Sequence, residues 1–354
     1  MLHRFSQFVV GCTVLLVLAG SLVTSTGSGL AVPDWPTSYG WNMFTFPPSK
    51  WVGGIFYEHG HRLIASTVGL LTIILAAWLW RADPRAWMKK LGVVALLAVI
   101  TQGVLGGVTV LYFLPDAVST AHAALAEIFF CLTVAIALFT SRGWIQSADA
   151  VDDPTLRAVA TGTTALVYTQ IIVGAAMRHS GAGLAIPDFP LMFGGIVPDH
   201  WNSAIAIHFT HRVGALVVAA AVLATAGHVW YHHRTRRSFT QPALVLLGLL
   251  AVQITLGALT VLTRRDVAIN SAHVVCGALV LITSLVITLR TWRVRFAEVG
   301  LKADTTRTRR APKLGSVPAS QGRPAAPPAT PKLVEFSPSE GGKLGNVPAS
   351  GGRA

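Results

Sequence analysis

Residues 27–36 read GSGLAVPDWP and residues 181–190 read GAGLAIPDFP, with seven of ten positions identical and the other three conservative. The register continues along the chain. EHGHR at 58–62 meets HFTHR at 208–212, TQGVLGGVTVL at 101–111 meets VQITLGALTVL at 252–262, and STAHAAL at 119–125 meets NSAHVVC at 270–276. The offsets are 154, 150, 151 and 151 residues. The chain is one unit built twice, and the fold question reduces to what that unit is.

Composition answers it. Of 354 residues, 52% are hydrophobic and only 12% charged, about half the charged fraction of a soluble protein, so no water-facing surface can be assembled. Apolar runs near 6–24, 54–80, 91–111, 117–140, 156–177, 203–230, 242–262 and 267–290 each approach the roughly 20 residues that carry a helix across about 30 Å of hydrocarbon. The predicted fold is all-α, a polytopic membrane protein with eight transmembrane helices arranged as two pseudo-symmetric four-helix bundles. An even number of helices per unit gives both halves one orientation, related by an approximate two-fold axis along the membrane normal. The expected divisions are a first repeat over 1–145, a second over 146–295 and a tail over 296–354. The run Phe8 to Val23 follows a short basic end, but it lacks a clear small-x-small cleavage site and begins the repeated pattern, so it reads as the first helix rather than a signal peptide.

Short loops set the direction. Arg81, Arg85, Lys89 and Lys90, then Arg234, Arg236 and Arg237, then Arg290, Arg293 and Arg295 all fall on one side, which the positive-inside rule makes cytoplasmic. Both termini are then expected in the cytoplasm of a plasma-membrane protein, and the Gly-, Pro- and Trp-rich connections 25–53 and 178–202 lie outside. Of the net charge of +13, residues 290–354 carry +8, so basicity is mostly a tail property suited to anionic headgroups of the lipid bilayer, not to nucleic acid. Beyond about residue 300 the chain is rich in Pro, Ser, Gly and Lys and repeats KLGSVPASQGR as KLGNVPASGGR, which predicts a disordered basic cytoplasmic tail. Cys12, Cys131 and Cys276 sit in apolar runs without a CxxC pattern and read as packing residues.

Of twelve histidines, four occupy matched positions inside helices: His61 and His122 in the first half, His211 and His273 in the second. All four lie a few residues from the outer ends of even-numbered helices, hence at one depth. Each half thereby offers two imidazoles at one level, the arrangement required for two axial ligands on opposite faces of a heme. The bland alternative for an intramembrane histidine is a hydrogen-bonded packing role. Duplication at matched depth favours ligands or redox chemistry, and no cysteine or third histidine completes a zinc set within a half. His3, His228, His232 and His233 lie at ends or in basic loops, and His179 and His200 in an external connection.

Gln102 and Gln253 read as interhelical hydrogen-bonding groups, and Gly29 and Gly183 with Pro33, Pro36, Pro187 and Pro190 as tight turns capping each half. Arg62 and Arg212 follow a histidine near the outer face. Each either snorkels to headgroups or pairs with a heme propionate. The halves part at Glu58, three residues before His61 and matched by His208. An unpaired acid there points to proton handling or to stabilising a cationic intermediate, an ion pair with Arg62 being the structural alternative. The first half is the candidate reaction site and the second an electron-transfer site.

Eight helices in two repeats, ExxHR at 58–62, HR at 211–212 and a histidine early in helices four and eight resemble the heme A synthase family over about residues 5–292. The resemblance implies oxidation of a ring methyl of heme o to a formyl group, giving heme A for assembly of aa3-type cytochrome oxidase, by oxygen-dependent successive hydroxylation and loss of water. It implies Glu58 as the catalytic carboxylate, His61 and His122 (with Arg62) holding substrate heme o, and His211 and His273 (with Arg212) ligating a heme b cofactor. Heme o synthase and a quinol or other electron donor are the implied partners, and a homo-oligomer is allowed. Many bacterial members have a cysteine pair in the first external loop; residues 25–53 have none. The rival reading is a non-enzymatic di-heme electron carrier of the cytochrome b type, which leaves Glu58 unexplained; a transporter would call for discontinuous helices that the apolar runs do not show.

Overall fold

A computed structural model describes residues 1–146 and 151–309, with side chains described through residue 294. Eight long helices dominate: α1 Leu2–Ser25, α2 Gly54–Ala82, α3 Ala86–Leu111, α4 Asp116–Phe139, α5 Pro154–His179, α6 Ser203–His233, α7 Arg237–Leu262 and α8 Val267–Arg309. All eight are long and apolar enough to cross a membrane, α8 over Val267–Val294. The chain is a multi-pass membrane protein. Helix is what the medium dictates, because hydrocarbon offers no partner for a backbone N–H or C=O. Among the described residues there is no strand, only the isolated bridges Ser38–Trp41 and Met192–Gly195.

The helices run a little past the apolar runs because polar residues complete their ends. The Asp153 side chain accepts the Leu156 N–H ahead of Pro154, and the Asn202 side chain accepts the Ile205 N–H, each satisfying an orphan donor of the first turn. Apart from the end of α8, the largest difference from expectation is at the starts of α3 and α7, which begin at Ala86 and Arg237 rather than near 91 and 242. In α7 the helix passes through Pro242. The missing Pro242 N–H leaves the Ser238 carbonyl unclaimed, and the Arg290 guanidinium of α8 donates to it instead.

In the first half α1 packs on α2, α2 on α3, α3 on α4 and α4 back on α1. In the second, α5 packs on α6 and α6 on α7; α8 closes the ring through Cys276 to the Leu249 carbonyl of α7 and through Ser284 and Thr288 to Thr164 of α5. One core cluster fills the second half, around Leu156, Val222, Phe239, Leu246 and Leu281, and another fills the first, around Val9, Leu75, Leu79, Met88 and Ile136. The halves meet along α4 and α5, and Phe130, Val134 and Ala278 form a third cluster between α4 and α8. Compact packing extends over Met1–Asp304. Of the tail expected from 296, the stretch to Arg309 continues α8, and the rest, with its repeated KLG segments, lies outside the described residues.

Candidate functional site

The four histidines sit six to eight residues beyond the first residue of α2, α4, α6 and α8, about 9–12 Å along each helix. α2 and α4 occupy opposite corners of the first ring, with α1 and α3 between them. His61 and His122 are nevertheless near enough that a charge on one acts on the other, and so are His211 and His273.

Each imidazole is backed by a glycine from an intervening helix. A Cβ built on Gly20 of α1 would lie 3.1 Å from Cε1 of His61, and one on Gly106 of α3 would lie 3.1 Å from Cε1 of His122. The second half repeats this with Gly174 of α5 at 2.8 Å from His211 and Gly257 of α7 at 3.0 Å from His273. The four glycines keep the repeat offsets, so two four-residue constellations are duplicated as sets.

The ring nitrogens are incompletely used. Nδ1 of His61, His122 and His273 is buried with no hydrogen-bond partner among the described residues, a state that costs about 1–3 kcal/mol per group unless something else occupies it. Gln102 Nε2 donates to the His122 carbonyl at 2.9 Å and lies 3.3 Å from its Nε2; Gln253 Nε2 lies 3.4 Å from Nε2 of His273. The expected interhelical role of the two glutamines is thus specific: they address His122 and His273. His211 differs, because Gln170 Nε2 donates to its carbonyl at 2.6 Å and lies 3.0 Å from its Nδ1. The repeat position of Gln170 is Leu16. Paired imidazoles with nitrogen to spare, set on opposed helices against glycine, fit the axial positions of a heme iron.

Glu58 is not unpaired. Its Oε1 accepts from Arg62 Nη2 at 2.6 Å and its Oε2 from the Val32 N–H at 2.7 Å, so the ion pair weighed as the alternative is the geometry found. His208 stands at the same place with an imidazole: Nδ1 lies 3.3 Å from the Ile186 N and Nε2 3.2 Å from Arg212 Nε, and a neutral ring can accept at only one of the two. The arginines serve the loops 25–53 and 178–202. Arg62 donates to the carbonyls of Val32, Asp34 and Thr37, and Arg212 to those of Ile186, Asp188 and Leu191. These forks satisfy loop carbonyls that would otherwise face apolar surroundings.

The loops that the arginines hold are alike in backbone detail. Asp34 accepts the N–H groups of Tyr39 and Gly40 at 2.7 and 2.8 Å, and Asp188 those of Phe193 and Gly194, both at 2.9 Å. Burial acts to raise the pKa of Asp34, but the Gly40 N–H, the Thr37 hydroxyl and the Tyr39 N–H outweigh it and hold the carboxyl below its ordinary value. Asp188 is lowered by the Gly194 and Phe193 N–H groups. Glycines at matched places take positive φ, Gly27 with Gly181 and Gly40 with Gly194, while Gly53 before α2 does so without a counterpart. Gly29, expected to make the turn, instead lies against Leu114, where a Cβ would come within 3.3 Å.

Sequence reasoning missed the four backing glycines, Gln170 and Glu127. Glu127 is buried in α4, 5% exposed, with Oε2 lacking a partner among the described residues. Its repeat position is Ala278. A comparison of halves residue by residue finds both Gln170 and Glu127 as polar groups opposite apolar ones.

The family described as COX15-CtaA, cytochrome oxidase assembly protein, matches residues 50–286. The chain is similar to the Heme A synthase of Geobacillus kaustophilus, 29% identical over 82% of this chain and 93% of that protein. It is also similar to the Heme A synthase of Symbiobacterium thermophilum, 32% identical over 70% of this chain and 81% of that protein. A third relative, the Heme A synthase of Shouchella clausii, is 31% identical over 59% of this chain and 70% of that protein.

Proposed function

Because the chain belongs to the COX15-CtaA family of cytochrome oxidase assembly proteins, we infer that it is a heme A synthase, a membrane oxidoreductase that converts heme o to heme A by oxidising a ring methyl to a formyl group. The observation that supports this at residue level is the pair of glycine-backed histidine sets, one per half, with an acid beside only one of them.

Residue roles follow from that asymmetry. His61 and His122 hold the substrate heme o, and His211 and His273 ligate a resident heme b, the cofactor of the second half. When bound, heme b supplies one-electron transfer. Gln170 holds the backbone carbonyl of His211 and lies beside its ring, whereas the matched His61 has only Leu16 at that place, a less restrained position that suits a site that must admit and release its occupant. Glu58 is the catalytic carboxylate. Bracing the loop does not itself call for an acid, because in the second half Arg212 holds the loop carbonyls with the imidazole of His208, not a carboxylate, beside it. The negative charge is therefore kept for the chemistry next to His61, with Arg62 holding it in place.

Heme o synthase and a quinol donor complete the proposed setting, in a plasma membrane with both termini cytoplasmic. The basic loops at Arg81–Lys90 and Arg234–Arg237 lie at the helix ends away from the histidines, which supports that orientation. Membranes carrying the protein together with a heme o supply, an electron source and oxygen should accumulate heme A, read by chromatography and mass of the extracted hemes. Recovery of heme o and heme b alone would overturn the enzyme and leave the di-heme carrier. Glu58→Gln should abolish heme A formation while sparing the heme b absorbance, since glutamine keeps an acceptor for the Val32 N–H.

A further inference from the structure

At the far end of the second half, three side chains that play no part above converge. Asp153 caps α5, with Oδ1 committed to the Leu156 N–H at 2.8 Å. Its Oδ2 is left to receive two imidazoles of α6: Nε2 of His228 at 2.8 Å and Nε2 of His233 at 2.8 Å. The three ligand-type atoms all lie within 4.8 Å of one another. His228 and His211 are 17 residues apart on α6, about 25 Å along the helix, so this cluster is separate from the heme histidines.

We propose that Asp153, His228 and His233 form a second metal site, one that takes a zinc-class divalent cation and clasps the start of α5 to the end of α6. Two neutral imidazole nitrogens and one carboxylate oxygen are a borderline N/O donor set that Zn²⁺ accepts, with a fourth position for water. The side chains are 10–18% exposed, enough for an ion and a water to enter. Contacts of 2.8 Å need to open only to about 3.3 Å to surround an ion at ~2.05 Å in tetrahedral geometry. Binding asks each imidazole to carry its single proton on Nδ1, so that Nε2 offers a lone pair.

The convergence is not a consequence of helix geometry. Positions five apart on a helix diverge by roughly 140°, yet both rings turn to one oxygen where α6 ends at His233. Neither does it come from the shared scaffold. The first-half counterparts of His228 and His233 are Trp78 and Asp83; Trp78 packs on Phe5, and Asp83 is taken by Arg85 at 2.6 Å.

The test uses the full-length, heme-loaded protein without an affinity tag, treated with a chelator and titrated with zinc chloride. Calorimetry and elemental analysis after desalting should find one zinc per chain retained. His228→Gln and His233→Gln should each weaken zinc binding by about 100-fold, and Asp153→Asn, which preserves the α5 cap, by at least about 10-fold. The heme absorbance, which reports folding, should be unchanged in all three. Absence of retained zinc, or the same zinc content in the wild type and the two histidine variants, would overturn the site and leave a hydrogen-bonded Asp–His cluster.

Discussion

The imidazole of His211 is fixed from two sides, by the Gln170 amide and by the bare backbone of Gly174. Gly174→Ala would put a methyl 2.8 Å from Cε1, closer than carbon atoms pack, and overpacking of this kind costs about 1–3 kcal/mol. The purified variant should lose several-fold in bound heme b, measured by its absorbance per chain. Gly227→Ala, on the same scaffold with nothing within 4 Å of the new Cβ, should not. A second close approach is Gly107 of α3 under the Trp35 ring; the matched pair in the second half is Ala258 and Phe189, where a methyl goes with a smaller ring. Gly107→Ala should therefore lower the thermal midpoint, and adding Trp35→Phe should recover part of it, the non-additivity expected of residues in contact. Equal loss in the single and double variants would refute the coupling. The histidines and Glu58 were legible in the sequence because a polar residue in an apolar run is conspicuous and the repeat supplied a second copy to compare. The glycines were not, because glycine in a membrane helix is common and its use is visible only once the neighbouring helix is in place.

At the scale of elements, the loops 25–53 and 178–202 are held by charge as well as by the burial of Val32, Phe46 and Ile186. Arg62 and Arg212 tie each loop to α2 or α6 by its carbonyls, while Asp34 and Asp188 gather the N–H groups of the loop tips. Both carboxyls titrate below the ordinary value of 3.8 in the folded state. Their contribution is therefore complete above that value and is lost as the pH falls through the depressed values. Hydrogen exchange at Tyr39, Gly40, Phe193 and Gly194 should show protection that is flat above about pH 4 and falls below it, with α1–α8 unaffected. Asp34→Asn and Asp188→Asn should remove that dependence, each in its own loop; a pH response that persisted in the variants would assign it elsewhere. Most helix boundaries were readable to a few residues, since apolar length is set by the bilayer. The starts of α3 and α7 were not, because basic residues and Pro242 look like loop until a partner such as Arg290 claims the exposed carbonyl. The loop carbonyls held by Arg62 and Arg212 were not legible: spacing along a helix cannot show that a loop of the same chain folds back onto the guanidinium.

Across the whole molecule, duplication supplies two matched histidine pairs, and the proposed division of labour rests on where the halves diverge. The seam between halves is polar at the outer side, where Ser25 of α1 meets Arg178 of α5 and Asn270 and Ser271 of α8 at 2.8–3.0 Å. Farther in, Tyr168 of α5 reaches the Ala124 carbonyl of α4 at 3.3 Å. The two histidine pairs are thus joined by packed helices. If the jobs are divided as proposed, the four histidine variants sort by half. His211→Ala and His273→Ala should strip heme b absorbance from the purified protein and with it all product. His61→Ala and His122→Ala should retain that absorbance, bind added heme o more weakly, and make little heme A. A uniform outcome, with heme b lost equally from all four, would mean that the halves are interchangeable. In that case Gln170 opposite Leu16 and Glu58 opposite His208 would be neutral drift on a symmetric carrier. The sorted outcome would make those two positions the places where a duplicated heme-binding unit became an enzyme on one side and its electron source on the other.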